Sequence, residues 1–169
     1  NRALSGQYPP ASTLKPFVGL AAIENQVISW DKKIEDNGKY YVEGDPRPYR
    51  GWKENGHGLV DMRKAIAESS DVYFYNLAYD LTLSGMRPML ENFGFGKKTG
   101  LMNIESSGLL PDKKWKLGYK VDFWFKGDTI NLGIGQGYIL ATPLQLALAY
   151  SALANKGPIY KPQLIQPND

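Results

Sequence analysis

Cysteine is absent from the 169 residues, and histidine occurs once, at His57. Without cysteine the chain can form neither a disulfide nor a thiolate metal site. A lone imidazole excludes a His-rich metal site and gives little support to a Ser-His-Asp triad. The lack of thiols suits an oxidising compartment. No stretch reaches the roughly 18 consecutive apolar residues that a membrane span needs. No run of five or more like charges is present. The net charge is only +3, so nucleic-acid binding has no compositional support. There is no signal-peptide pattern and no initiator Met before Asn1-Arg2-Ala3-Leu4, which leads us to expect a segment of a larger protein.

What is present is ordinary for one globular domain: 43% hydrophobic and 22% charged residues, with 4 Trp, 11 Tyr and 6 Phe. That apolar content argues against disorder. Residues 1–11 carry Gly6, Pro9 and Pro10 and read as a loop. A helix is expected from Ser12 to about Ile28, because Leu14, Phe17, Val18, Ala21 and Ala22 recur at spacings of three and four. Pro16 is tolerated only in a first turn, which places the start near Ser12. Residues 29–58 read as a long loop with a short strand at Tyr40-Tyr41-Val42. Asp61 caps a helix through Met62, Ala65 and Ile66. Further helices are expected over Val72–Leu81 and Met86–Phe93. Residues 101–128 read as irregular, with Trp115, Tyr119, Phe123, Trp124 and Phe125 as core anchors or a lid over a cleft. Gly133, Gly135 and Gly137 form a tight turn. Thr142 and Pro143 open a helix from Leu144 to Ala154. Ile159-Tyr160 is expected to start a strand.

Two Ser-x-x-Lys pairs occur, Ser12 with Lys15 and Ser29 with Lys32. A Ser and a Lys three apart share one helix face, which brings hydroxyl and amine within hydrogen-bonding reach. Serine needs a base to become a nucleophile. Lysine becomes one only if burial or a nearby cation lowers its pKa. The spacing alone is weak, since about one such pair is expected by chance. Context favours Ser12, which follows Pro9-Pro10 at the start of an apolar helix, where the helix dipole favours developing negative charge. Ser29 lies in a polar stretch.

The string Gly6-Gln7-Tyr8-Pro9-Pro10-Ala11-Ser12-Thr13-Leu14-Lys15-Pro16-Phe17 resembles the active-serine motif of class B penicillin-binding proteins. Ser69-Ser70-Asp71 resembles their Ser-x-Asn motif in a Ser-x-Asp form. Phe93-Gly94-Phe95-Gly96, Thr99-Gly100 and Ser106-Ser107-Gly108-Leu109-Leu110-Pro111 resemble a signature between the motifs. Gly133-Ile134-Gly135-Gln136-Gly137-Tyr138 and Ala141-Thr142-Pro143-Leu144-Gln145 resemble the family's later segment. Tyr49-Arg50-Gly51-Trp52, Gly56-His57-Gly58 and the Ser-x-Asp form point to the rod-shape elongation branch, penicillin-binding protein 2.

The resemblance implies a mixed α/β (α+β) fold shared with serine β-lactamases, helices packed on an antiparallel sheet, of which residues 1–169 hold mostly the helical part. It implies a peptidoglycan D,D-transpeptidase that cross-links stem peptides ending in D-Ala-D-Ala and is acylated by β-lactams. Ser12 would be the nucleophile and Lys15 its base. Ser69 would relay the proton, and Asp71 would hold the network. A glycan-strand polymerase and elongation-complex proteins are the implied partners, and the periplasmic side of a bacterial inner membrane is the implied location. No cofactor or metal is implied.

The family's third motif, Lys-Ser/Thr-Gly on a strand, has no match downstream of the glycine-rich turn, so residues 1–169 are expected to be a partial domain, inactive or poorly active alone. Lys98-Thr99-Gly100 fits its letters but not its place. Gly133-x-Gly-x-Gly lacks a preceding strand and reads as a structural turn, not a dinucleotide site. His57 with Asp36, Asp45 or Asp61 could ligate a metal, but a loop-anchoring role fits a single His better. Two other functions remain open: a penicillin-sensing or scaffolding domain without turnover, and a serine β-lactamase. Class A β-lactamases use a Glu to activate the deacylating water, in Glu-x-x-x-Asn form, and no Glu here has Asn four residues on.

Overall fold

Asn1, Asp61, Ser70, Asp112 and Thr142 each turn a side-chain oxygen onto a free N–H at a helix start, which satisfies donors the helix cannot pair itself. In the computed structural model, which describes residues 1–165, these caps open α1 (Arg2–Ser5), α3 (Met62–Ala67), α4 (Asp71–Asn92), α5 (Lys113–Lys120) and α7 (Pro143–Ala154). The uncapped helix α2 (Lys15–Glu24) continues a 3₁₀ turn over Ala11–Leu14, with Pro16 in its first turn as expected. Helix α6 (Lys126–Gly133) is closed at its start by the Asp128 carboxylate, which accepts from Phe125 N–H at 2.7 Å.

The four strands among the described residues are two or three residues long: β1 (Ile34–Asp36), β2 (Lys39–Tyr40), β3 (Tyr49–Arg50) and β4 (Gly58–Val60). They form two nested antiparallel pairs, β1 with β4 and β2 with β3, in registers Asp36↔Gly58 and Tyr40↔Tyr49. The long loop of residues 29–58 is therefore an interrupted hairpin arm. Gly56 sits 2.0 Å (as a Cβ position) from the Asp36 carbonyl oxygen at φ +70°, so no larger residue fits where the arm pinches.

Helices α2 and α4 form the centre of the core. Leu14, Phe17, Val18, Ala21 and Ala22 pack with Tyr73, Phe74, Leu77, Ala78 and Leu81, all of them buried. The Phe17 ring meets Phe93, Phe95 and Tyr150 at centroid distances of 4.8, 5.4 and 5.3 Å. Helix α6 lies close against α4 because Gly133 carries no side chain; a Cβ there would stand 2.3 Å from that of Ala78.

The structure corrects several expectations. Residues 1–11 include α1. The two helices expected over Val72–Leu81 and Met86–Phe93 are, by contrast, borne out as the two halves of α4, which meet at a kink where Thr82 is non-helical (φ 60°, ψ 174°). Residues 101–128 contain α5 and the start of α6, because Asp112 and Asp128 cap turns rich in lysine rather than apolar residues. Of the aromatics there, Trp124 packs against the core as expected, but Tyr119 and Phe123 are not core anchors, being more than 70% exposed. Ile159-Tyr160 forms no strand, and both are exposed.

Candidate active site

The Ser12 loop is pinned by a distant part of the chain. Ala11 N–H donates to the Gly135 carbonyl at 2.9 Å, and Tyr8 and Ala141 exchange two bonds of 2.9 Å. Ala11 adopts φ 49°, and a Cβ on Gly135 would stand 2.1 Å from the Ala11 carbonyl oxygen. The glycine-rich turn is thus a backbone brace for the residue before Ser12, as its reading as a structural turn anticipates. The Tyr150 hydroxyl donates to the Thr13 carbonyl at 2.9 Å from the other side.

The four expected site residues converge. Lys15 and Ser12 leave adjoining turns at the start of α2, while Ser69 and Asp71 flank the start of α4. Lys15 is 1% exposed. Its Nζ donates to the Ser69 carbonyl at 2.8 Å, to Ser69 Oγ at 2.9 Å and to Asp71 Oδ1 at 2.6 Å. Ser69 Oγ donates to Ser12 Oγ at 2.7 Å, and Ser12 is exposed. The amine and the Ser12 hydroxyl are therefore joined through Ser69 rather than directly, because Asp71 and the Ser69 carbonyl draw the ammonium toward α4. Burial lowers the Lys15 pKa, while the hydrogen bond and charge of Asp71 and the more distant charge of Asp36 oppose that shift. The Phe74 ring lies under Nζ at 5.6 Å.

Ser69 is in the left-handed region at φ 55°, which for a non-glycine residue is costly, about 1 kcal/mol or more. Its turn is held by Trp52, whose indole N–H contacts the Glu68 and Ser69 carbonyls at 3.2 and 3.1 Å and whose backbone N–H donates to Asp71 Oδ2 at 3.2 Å. Trp52 in this role was not read from the sequence, where it stood only in the Tyr49-Arg50-Gly51-Trp52 string of the family resemblance.

The other candidates lie elsewhere. Ser29 and Lys32 are both exposed on a turn. Thr99 N–H, Thr99 Oγ1 and Gly100 N–H all donate to Glu105 Oε2, so Lys98-Thr99-Gly100 is a loop wrapped on a carboxylate. Burial opposes ionisation of Glu105, but these donors and Met102 N–H prevail and bring its pKa down to about 2. The three acids proposed near His57 separate. Asp36 pairs with the imidazole at 2.6 Å, Asp45 with Arg47 at 3.0 Å, and Asp61 caps α3. His57 therefore anchors a loop.

The geometry matches known proteins closely. The penicillin binding protein transpeptidase domain family matches residues 1–168. Over 98% of its length the chain is 42% identical to the peptidoglycan D,D-transpeptidase MrdA of Acinetobacter baumannii, covering 25% of that protein. It is 43% identical to MrdA of Salmonella typhimurium, again over 98% of its length and covering 27% of that protein. The chain thus spans about a quarter of the length of these curated relatives. Among solved structures, PBP2 of Pseudomonas aeruginosa in complex with WCK 5153 superposes with a TM-score of 0.93 at 42% identity, over 96% of this chain and 37% of that one. The complex between PBP2 and MreC from Helicobacter pylori gives 0.90 at 40% identity, over 96% and 30%.

Proposed function

This chain belongs to the penicillin-binding protein transpeptidase family, and from that premise we propose that it supplies the nucleophile and proton path of a peptidoglycan D,D-transpeptidase acting in cell elongation. The observation that carries the proposal is the unbroken line from Ser12 Oγ through Ser69 Oγ to Lys15 Nζ, with Asp71 beyond it. A hydroxyl at a helix start, exposed and linked to a buried amine, is arranged for acyl transfer.

Ser12 Oγ attacks the carbonyl carbon of the penultimate D-alanine. With Lys15 in the neutral form that burial favours, the two hydrogen bonds reverse, so that Ser12 Oγ donates to Ser69 Oγ and Ser69 Oγ to Lys15 Nζ, and the proton passes along them to the amine. The amide C–N bond breaks, and the released D-alanine takes the proton on its nitrogen. An amine of a second stem peptide then displaces Ser12 and forms the cross-link. Asp71 keeps Lys15 in place, and its charge limits how far the pKa falls. A β-lactam presents the same carbonyl in a strained ring, and its opened ring stays on Ser12. The second oxyanion donor and the strand that binds substrate come from a Lys-Ser/Thr-Gly segment outside residues 1–169, since Lys98-Thr99-Gly100 is committed to Glu105. The whole protein works on the periplasmic side of a bacterial inner membrane with a glycan-strand polymerase and other elongation proteins. The PBP2–MreC complex of Helicobacter pylori supports the last point.

Intact-mass spectrometry of the full-length protein after incubation with benzylpenicillin tests this. One penicilloyl adduct on the wild type and none on Ser12→Ala is the expected result. An adduct that persists in Ser12→Ala overturns the assignment of the nucleophile. Acylation without cross-linking of stem peptides by the wild type would point to a sensing domain.

A further inference from the structure

Next to the site a second polar chain runs through the interior. Ser70 Oγ donates to Asp36 Oδ2 at 2.6 Å, and His57 Nδ1 meets the same oxygen at 2.6 Å. Asp36 Oδ1 accepts from Gly38 N–H at 2.8 Å. The side chains of His57 and Asp36 are each 2% exposed, and Ser70 is fully buried. Burial would push the Asp36 carboxyl up, but the bonds from Ser70, Gly38 and His57 hold its pKa below the usual value. An ionised Asp36 only accepts, so His57 Nδ1 carries the proton between them. Nε2 of the same ring is buried with no hydrogen-bond partner among the described residues. The ring's hydrogen bond is therefore the one it makes to Asp36, with the Glu68 carboxylate standing 4.0 Å from Nε2.

Ser70 stands between Ser69 and Asp71. Its hydroxyl both caps α4, accepting from Tyr73 N–H at 3.1 Å, and reaches back to Asp36. Ser69 is held in a left-handed conformation at φ 55°, and a strained turn persists only when its neighbours over-determine it. Lys15 and Trp52 hold that turn through the Ser69 carbonyl. Asp36 and His57 hold it through Ser70. The Trp52 and His57 rings also touch, at 5.4 Å between centroids, so the two supports share one arm of the chain.

We infer that Asp36 and His57 are positioning residues for acylation: by gripping Ser70 from the β1–β4 arm they set Ser69 Oγ against Ser12 and Asp71 against Lys15. The inference rests on the transpeptidase reading above. Neither residue touches the reacting atoms. Both act through the turn they fix.

The test compares full-length wild type, Asp36→Asn, His57→Asn, Ser70→Ala and the double variant Asp36→Asn/Ser70→Ala. Benzylpenicillin acylation is resolved into the dissociation constant and the first-order acylation constant, with melting temperature measured alongside. A misplaced reacting group costs up to about 100-fold. We expect the acylation constant to fall at least about tenfold in each single variant with the dissociation constant nearly unchanged. In the double variant the fall is no larger than in Ser70→Ala, because Asp36 acts through Ser70. If Asp36→Asn and His57→Asn acylate at the wild-type rate, or melt lower without any kinetic change, the pair is merely structural and the inference fails. Additive losses in the double variant overturn the route through Ser70. If the wild type itself takes no adduct, it is the transpeptidase reading that fails.

Discussion

At the scale of single residues, Lys15 holds the tightest balance. Burial drives it toward the neutral amine a base needs, and Asp71 drives it toward the ammonium. Removing the Asp71 charge should therefore lower the Lys15 pKa further. In Asp71→Asn, the rising limb of acylation rate against pH moves to lower pH, while the plateau falls because Nζ loses its anchor; stopped-flow acylation across pH reads both. Glu105 offers a stability test of opposite chemistry. Its folded pKa of about 2 lies below the ordinary value of 4.5. Its contribution is thus complete above about pH 4.5 and is lost as pH falls through about 2. Thermal melts should show Glu105→Gln less stable at neutral pH and with a flatter acid limb than the wild type. Ser12, Lys15, Ser69 and Asp71 were legible in the sequence because a local spacing and a family motif mark them. Asp36 and Trp52 were not, because their contacts to Ser70 and Asp71 span 34 and 19 residues, and no spacing rule reaches that far.

At the scale of elements, the caps explain why α3 and α7 could be read in advance: Asp61 and Thr142 bond locally, within three residues. Helix α5 escaped because its buried face is little more than Lys116, whose ammonium is paired with Asp128 at 2.7 Å and Asp122 at 3.4 Å. An apolar-periodicity rule cannot see a helix held by an ion pair. The start of α7 is a junction as well as a cap. Gln145 Oε1 accepts from Thr142 N–H at 2.8 Å, and its Nε2 donates to the Lys97 and Ser107 carbonyls at 2.7 Å each. Gln145→Met would leave three backbone groups unpaired in a buried place, and each such group costs about 1–3 kcal/mol. Chemical denaturation should show a loss of at least about 3 kcal/mol, larger than the cost of about 1 kcal/mol expected for Thr142→Ala, which removes only a cap.

At the scale of the whole molecule, the interior is centred on α2 and α4, and the site sits where their starting turns meet. That concentration predicts the order of opening. Amide hydrogen exchange should be slowest in the buried stretches of α2 and α4 around Phe17 and Phe74 and fastest in α5 and the loop after it, where Tyr119, Val121 and Phe123 face solvent. Uniform protection across α2 and α5 would contradict it. The brace between Ala11 and Gly135, together with the Tyr8–Ala141 bridge, adds a constraint in time. A polypeptide emerges from the ribosome in order, so Ser12 is made long before the residues that hold its loop. Until Gly135 and Ala141 have emerged, that loop has no backbone partner there. The nucleophile is therefore synthesised before its seat and is set only once that seat has emerged, and a nascent chain stalled before Gly135 carries the serine without its seat.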